Sequence, residues 1–465
     1  MKLRKLMMGL IMMAFPVIAW GDAPKYIFYF IGDGMGVAQV TNSQLYNSRV
    51  RGCDMPLVFT TFPVASLATT HSASTDVTDS AAAGTALSTG VKTKNGMLGM
   101  APDTTAVTSM AKILQAHGYG IGLITTVAID DATPGAFYAN VENRKQYYDI
   151  GRQLAASGYQ FAAGASLRGA WDKEGNSTDL MKYFEEENVS VHYGLDDMDT
   201  TAERLLILSP YHKEQQNEIG YAIDAKEGVL TLPALTRAGI EQLQRVSPDR
   251  FFMMVEGGSI DHAGHANDGA TAIHEVLAFN EALKIAYDFY LQHADETLIL
   301  VTADHETGGM SVGNNTTGYS VQLDKLAGQK VSKDEFSAIC RNILDSNVPF
   351  SWEDVKALMS EKLGIGENVE LSDEEMAQLQ HIFNEVFEKR EGGLDQKTLY
   401  STFDGFTNTV FGMINNKSGI GWTTGHHTGM PVPVYAIGVD AERFSRLNDN
   451  TELPKKILSI AGFEE

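Results

Sequence analysis

The chain has 465 residues, 43% of them hydrophobic and 20% charged, which excludes a disordered polar chain and leaves ample material for a packed core. Its net charge of −23 argues against anionic partners such as nucleic acid or an acidic membrane surface. Two cysteines, Cys53 and Cys340, are too few for a thiolate zinc site or a disulfide framework and allow at most one bridge.

At the N-terminus, Lys2, Arg4 and Lys5 precede the apolar run LMMGLIMMAFPVIAW, and Ala19 and Gly21 are small residues suited to cleavage. Residues 1–21 are therefore predicted to be a signal peptide, removed on export to a periplasm or to the medium. Its loss removes three positive charges and leaves −26. No second stretch is long enough to span a bilayer, so residues 22–465 are expected to be free of the membrane after cleavage.

The first predicted strand lies in KYIFYFIGDGMG and ends at Asp33, between two glycines that allow a sharp turn. VTDSAAAGTALSTG follows, and its small residues after Ser80 read as the first turns of a helix with Asp79 or Ser80 near the N-cap. TAVTSMAKILQAHGYG is a helix, and GIGLITTVAIDDATPG a second strand that leads to Asp131 and Thr133. Arg144 sits in the polar loop VENRKQ. RFFMMVEGGSIDHAGH is a third strand followed by Glu256, Asp261, His262 and His265. A long helix in AIHEVLAFNEALKIAYDFYLQHA precedes the fourth strand, ETLILVTADHETGG, which delivers Asp304 and His305.

Residues 311–420 break this alternation. They are acidic, lack an obvious apolar strand, and carry capping-box patterns at Ser332–Glu335, Ser351–Asp354 and Ser372–Glu375. They read as a helical insertion on the core, either surface elaboration or a lid or dimer contact. WTTGHHTGMP then offers His426 and His427 before a last strand in PVPVYAIG.

Short strands apolar on both faces, alternating with helices, predict an α/β fold: a central, mostly parallel sheet with helices on both faces, in three layers. In such sheets ligands bind at the carboxyl ends of the strands, where the acidic residues and histidines named above collect. Imidazole plus carboxylate without thiolate suits open zinc sites, with Asp261 and His265, Asp304 and His305, and one of the C-terminal histidines as candidates. Asp131, Thr133 and Glu256 are harder oxygen donors suited to magnesium. A serine at a helix start is often only a cap. Ser80 lacks a G-x-S-x-G elbow, so activation by metal is its remaining route to nucleophilicity. Arg144 has the planar fork needed to grip two phosphate oxygens.

Together FIGDGMG, VTDSAAAGTALSTGVKTKNG, DATPGAFYANVENRK, VEGGSIDHAGH, VTADHE and GHHTG resemble the alkaline phosphatases, in that family's order, with 311–420 outside the matching segments. The resemblance implies two zinc ions and one magnesium ion. The first zinc would take Asp261, His265 and His427, with His426 as the fallback. The second would take Asp33, Asp304, His305 and Ser80. Magnesium would take Asp33, Thr133 and Glu256. Arg144, oriented by Asp79, would hold the phosphate. Asp131, counted with the third-metal set, and His262, which would touch phosphate through water or approach that metal, are positions where the family varies.

The implied activity is hydrolysis of small phosphate monoesters of broad specificity through a phosphoserine at Ser80, with an alkaline optimum and with homodimerisation open. The alternatives are a phosphodiesterase or phosphomutase with a related metal core, and a metal- or phosphate-binding protein without turnover. A sulfatase is disfavoured, because neither cysteine lies in a C-x-P-x-R arrangement.

Overall fold

The computed structural model describes residues 23–211, 218–224, 228–346, 349–389 and 396–463. The signal peptide expected over 1–21 lies outside them.

Ten strands among the described residues form one sheet. From edge to edge they are Asn448–Asp449, Val64–Thr69, Val432–Gly438, Thr297–Thr302, Tyr26–Ile31, Phe251–Glu256, Gly120–Thr125, Phe161–Gly164, Leu205–Leu208 and Ser190–Tyr193. Only Val432–Gly438 runs against the rest, pairing antiparallel with both of its neighbours. The sheet is thus mostly parallel, as the alternation of strands and helices predicts.

The four central strands are buried at every position, so both faces of the sheet are covered. Side chains on a strand alternate faces, and the aromatic contacts show which layer meets each one. Phe28 and Phe30 meet Phe289 and Phe279 of the helix Gly269–Gln292, with ring centroids 5.5 and 5.6 Å apart. Tyr29, pointing the other way, meets Phe137 at 6.2 Å. The helix Leu232–Val246 shares the first face, where Gly239 lies so close to Ile124 and Met253 that a β-carbon would fall 2.9 Å from Ile124 Cδ1.

Sequence patterning misses five of the strands: Val64–Thr69, Phe161–Gly164, Ser190–Tyr193, Leu205–Leu208 and Asn448–Asp449. They lie towards the two edges of the sheet, and most are only two or four residues long. Val64–Thr69 is half exposed, so it lacks the continuous apolar run that marks a central strand.

Within 311–420, helices Lys333–Ser346, Trp352–Leu363, Asp373–Phe383 and Gly405–Ser418 dominate. Ser351 and Ser372 each form a reciprocal capping box, and Ser332 Oγ accepts from Glu335 N at 3.0 Å. The segment also contains a small hairpin, Gln396–Lys397 against Thr402–Phe403. Cys53 is exposed and Cys340 buried, and both are free thiols. No helix among the described residues is long and apolar enough to cross a membrane.

Candidate active site

The carboxyl ends of the central strands assemble the site. Asp33 follows Tyr26–Ile31, Glu256 closes Phe251–Glu256, and Asp304 and His305 follow Thr297–Thr302. Gly34, at φ +72°, makes this crowding possible. A β-carbon there would fall 2.8 Å from Thr307 Oγ1 and 2.9 Å from Asp261 Cα. Only glycine lets the Asp33 loop pass this close to the helix Ser259–His265.

That helix presents Asp261 and His265 one turn apart, with His265 Nε2 3.4 Å from Asp261 Oδ2. His427, on the short strand His427–Thr428, completes the group. Its Nε2 is 3.0 Å from His265 Nε2 and 3.6 Å from Asp261 Oδ1, and its ring stacks on His305 at 3.5 Å. His426 is exposed and its ring centroid stays 6.5 Å from that of His265. Donor atoms of Asp261, His305 and His427 lie within 4.8 Å of one another, and so do those of Asp33, Asp304 and His305.

The carboxylates share one pattern of partners. Asp304 Oδ1 accepts from Gly34 N at 3.1 Å and from His305 N at 2.8 Å. Asp261 Oδ1 accepts from the Thr307 hydroxyl, and Asp33 Oδ2 from Thr133 Oγ1 at 3.4 Å. In each case the second oxygen is buried and accepts no hydrogen bond, as is Glu256 Oε2. Asp304 Oδ2 and Asp33 Oδ1 lie 3.1 and 3.4 Å from His305 Nε2, and Asp261 Oδ2 lies 3.4 Å from His265 Nε2. A buried carboxylate oxygen without a donor is costly unless a cation meets it.

The imidazoles are fixed from behind. His265 Nδ1 faces Gly425 O at 2.7 Å, His427 Nδ1 faces Thr78 O at 2.9 Å, and His305 Nδ1 faces Thr307 Oγ1 at 3.2 Å. A backbone carbonyl accepts only from an Nδ1–H, so for His265 and His427 the Nε2 lone pair is turned inward. Burial, then the charge on His305, lowers His427 to about 4, which keeps it neutral above that pH. Burial, with Asp304 next, pushes Asp33 well above the usual carboxylate range, and burial raises Glu256 to about 8. Four acidic groups packed this tightly repel one another, and bound cations would relieve that repulsion.

Ser80 is the first residue of the helix Ser80–Thr89, all ten residues of which are buried. The cap is Asp79, which accepts from Ala82 N at 3.0 Å. Ser80 is therefore not needed as a cap, and its hydroxyl lies 3.2 Å from His305 Nε2. Small residues let this helix sit against the turn Ala132–Gly135, where a β-carbon on Gly84 would already be 3.2 Å from Thr133 Cα.

Arg144 reaches the same pocket from its loop. One nitrogen lies 3.3 Å from Asp79 Oδ2 and another 3.0 Å from Asp131 Oδ1. Burial opposes its charge, but the carboxylates of Asp131 and Asp79 outweigh that and hold it charged. Asp131 stands between two arginines. Its Oδ1 also accepts from Ala132 N at 2.7 Å, and its Oδ2 pairs with Arg168 at 3.1 Å. Both oxygens are thus committed to cationic side chains. His262 is buried, with Nδ1 paired to Glu218 and its ring against Tyr400.

Sequence reasoning gave no role to Thr307, Glu306, Arg168, Glu218 or Tyr400. Thr307 relays between His305 and Asp261. Glu306 accepts from Gln39, Met310 N, Gly309 N and Thr428, tying the loop after Asp304 to the strand that carries His427. Their signal was adjacency to Asp304 and His305. Arg168, Glu218 and Tyr400 stand in segments without a motif.

A family model described as alkaline phosphatase matches residues 24–168 and 172–463, and so runs through 311–420, which the short motifs leave out. Alkaline phosphatase 3 of Bacillus subtilis is 29% identical over 452 residues, covering 95% of this chain and 90% of that protein. The crystal structure of a cold-active alkaline phosphatase from a psychrophilic Shewanella superposes with a TM-score of 0.78 at 28% identity, covering 94% of this chain and 99% of that one. The Thermus thermophilus alkaline phosphatase superposes at 0.76 with 26% identity, covering 95% and 92%.

Proposed function

The chain belongs to the alkaline phosphatase family, a family of metal-dependent phosphatases, and from that footing we propose how its site works. It is an exported phosphomonoesterase of broad specificity, formed by residues 22–465 as one catalytic domain with 311–420 as an elaboration. Two zinc ions would be held by Asp261, His265 and His427, and by Asp33, Asp304, His305 and Ser80. One magnesium ion would be held by Asp33, Thr133 and Glu256. When bound, these cations supply positive charge that lowers the pKa of a nearby hydroxyl or water and stabilises a departing oxygen.

The chain's own residues do the rest. Ser80 Oγ attacks phosphorus in line with the ester oxygen, the phosphorus–alcohol bond breaks, and a phosphoserine forms. Water then cleaves the phosphoserine and restores the serine. Arg144, aimed by Asp79 and Asp131, grips two phosphoryl oxygens with its fork. The positive end of the helix Ser80–Thr89 favours the anion at the same point. Recognition confined to the phosphoryl group tolerates many alcohols.

The observation that carries this reading is the set of half-satisfied carboxylates around Ser80. On Asp33, Asp261 and Asp304 a protein donor holds one oxygen, and the other is buried without a hydrogen bond. The test compares 4-nitrophenyl phosphate with bis(4-nitrophenyl) phosphate on the metal-loaded protein. Faster turnover of the monoester is expected. Faster turnover of the diester would favour a phosphodiesterase, and metal binding with no hydrolysis would favour a binding protein.

A further inference from the structure

The hairpin in 311–420 places one side chain in the site. Tyr400 lies in the turn between Gln396–Lys397 and Thr402–Phe403. It is half-buried, with its ring centroid 3.7 Å from that of His262 and 5.4 Å, edge-on, from that of His265.

The turn is held from several sides. Thr398 N donates to Ser401 O at 2.7 Å and Ser401 N to Thr398 Oγ1 at 3.0 Å. Ser401 Oγ donates to Asp334. Phe403, fully buried, lies under the Lys333 ammonium at 4.4 Å. The same ammonium donates to Ala266 O at 2.8 Å, one residue beyond His265. The hairpin is thereby fastened to the helix that carries Asp261 and His265, and Tyr400 is presented as a pre-positioned wall.

We propose that Tyr400 is a specificity-determining residue: its ring forms the surface against which the alcohol part of the ester packs, favouring planar, aromatic alcohols over small aliphatic ones. This rests on the phosphomonoesterase reading, in which the alcohol departs beside Asp261, His265 and His427. A ring tilted over His262 and bordering His265 flanks that exit. Aromatic contacts of this kind are worth a modest, measurable preference.

The experiment measures kcat/KM for phenyl phosphate and ethyl phosphate, and Ki for inorganic phosphate, on metal-loaded wild type, Tyr400→Ala, Tyr400→Leu and Tyr400→Phe. The alanine and leucine variants should lose about 3- to 10-fold on phenyl phosphate, chiefly through KM. Ethyl phosphate and the phosphate Ki should stay within about twofold, and the phenylalanine variant should match wild type on every substrate. Leucine keeps most of the bulk without a ring face, so the prediction survives if alanine disturbs the hairpin. Equal losses on both esters, a phenylalanine variant as impaired as alanine, or no loss on phenyl phosphate would each overturn the proposal. A wild type that hydrolyses neither ester would instead overturn the phosphomonoesterase reading.

Discussion

Replacing Arg144 with alanine removes a guanidinium held 3.3 Å from Asp79 and 3.0 Å from Asp131. After those two contacts the fork keeps N–H donors for two phosphoryl oxygens. Hydrogen bonds to charged groups are worth about 1.5–3 kcal/mol each, so losing two should cost about 3–6 kcal/mol in the transition state. That corresponds to a fall in kcat/KM of roughly 10²- to 10⁴-fold. The fold should survive. Asp131 keeps Arg168 at 3.1 Å and Ala132 N at 2.7 Å, and Asp79 keeps Ala82 N and Gly96 N, each at 3.0 Å. Loss of stability should therefore stay near about 1–2 kcal/mol. Arg144→Lys keeps the charge but loses the fork and should fall between alanine and wild type. The assay is kcat/KM on 4-nitrophenyl phosphate with Ki for inorganic phosphate, alongside a urea melt. An alanine variant that folds, keeps kcat/KM within about twofold and binds phosphate as wild type does would refute the reasoning.

Further expectations follow from the same geometry. His427→Ala should lose most activity and about one zinc equivalent by metal analysis, whereas His426→Ala, altering an exposed ring, should resemble wild type on both. Metal stripping should lower the melting temperature, because the native state then loses the binding free energy of the cations that meet the buried oxygens of Asp33, Asp261, Asp304 and Glu256, and a chelator that leaves the melt unmoved would contradict the cation reading. Burial raises Glu275 from 4.5 to about 8. The stability it contributes is complete below pH 4.5 and is lost as pH rises through 8, by at most about 5 kcal/mol. Glu275→Gln cannot titrate, so urea melts should show it gaining on wild type between pH 5 and pH 9, and a constant gap would contradict the assigned burial.

The residues at strand ends were legible because the chemistry sits where apolar runs stop. Asp33, Asp304 and His305 follow, and Glu256 closes, a strand buried at every position, and such strands announce themselves in sequence. Asp261 and His265 were legible from their one-turn spacing. The edge strands were hidden by their brevity and, for Val64–Thr69, by its half-exposed face. Asp131 shows a different limit: a carboxylate after a strand suits a metal or an arginine equally well, and its pairing with Arg168 as well as Arg144 had no local signal in the sequence. Tyr400 was invisible because its place depends on a hairpin fastened through Lys333 to Ala266, a contact between segments far apart in the chain. No local pattern encodes such a contact.

The central claim is that Ser80 takes the phosphoryl group. The most direct measurement is to quench the metal-loaded enzyme in acid during turnover of a phosphate monoester and map the peptides by mass spectrometry. The account predicts one phosphoryl group on Ser80, absent without substrate, and Ser80→Ala that still binds inorganic phosphate but turns over at least about 10³-fold more slowly. Full hydrolysis by Ser80→Ala, or a trapped phosphoryl group on another residue, would contradict it.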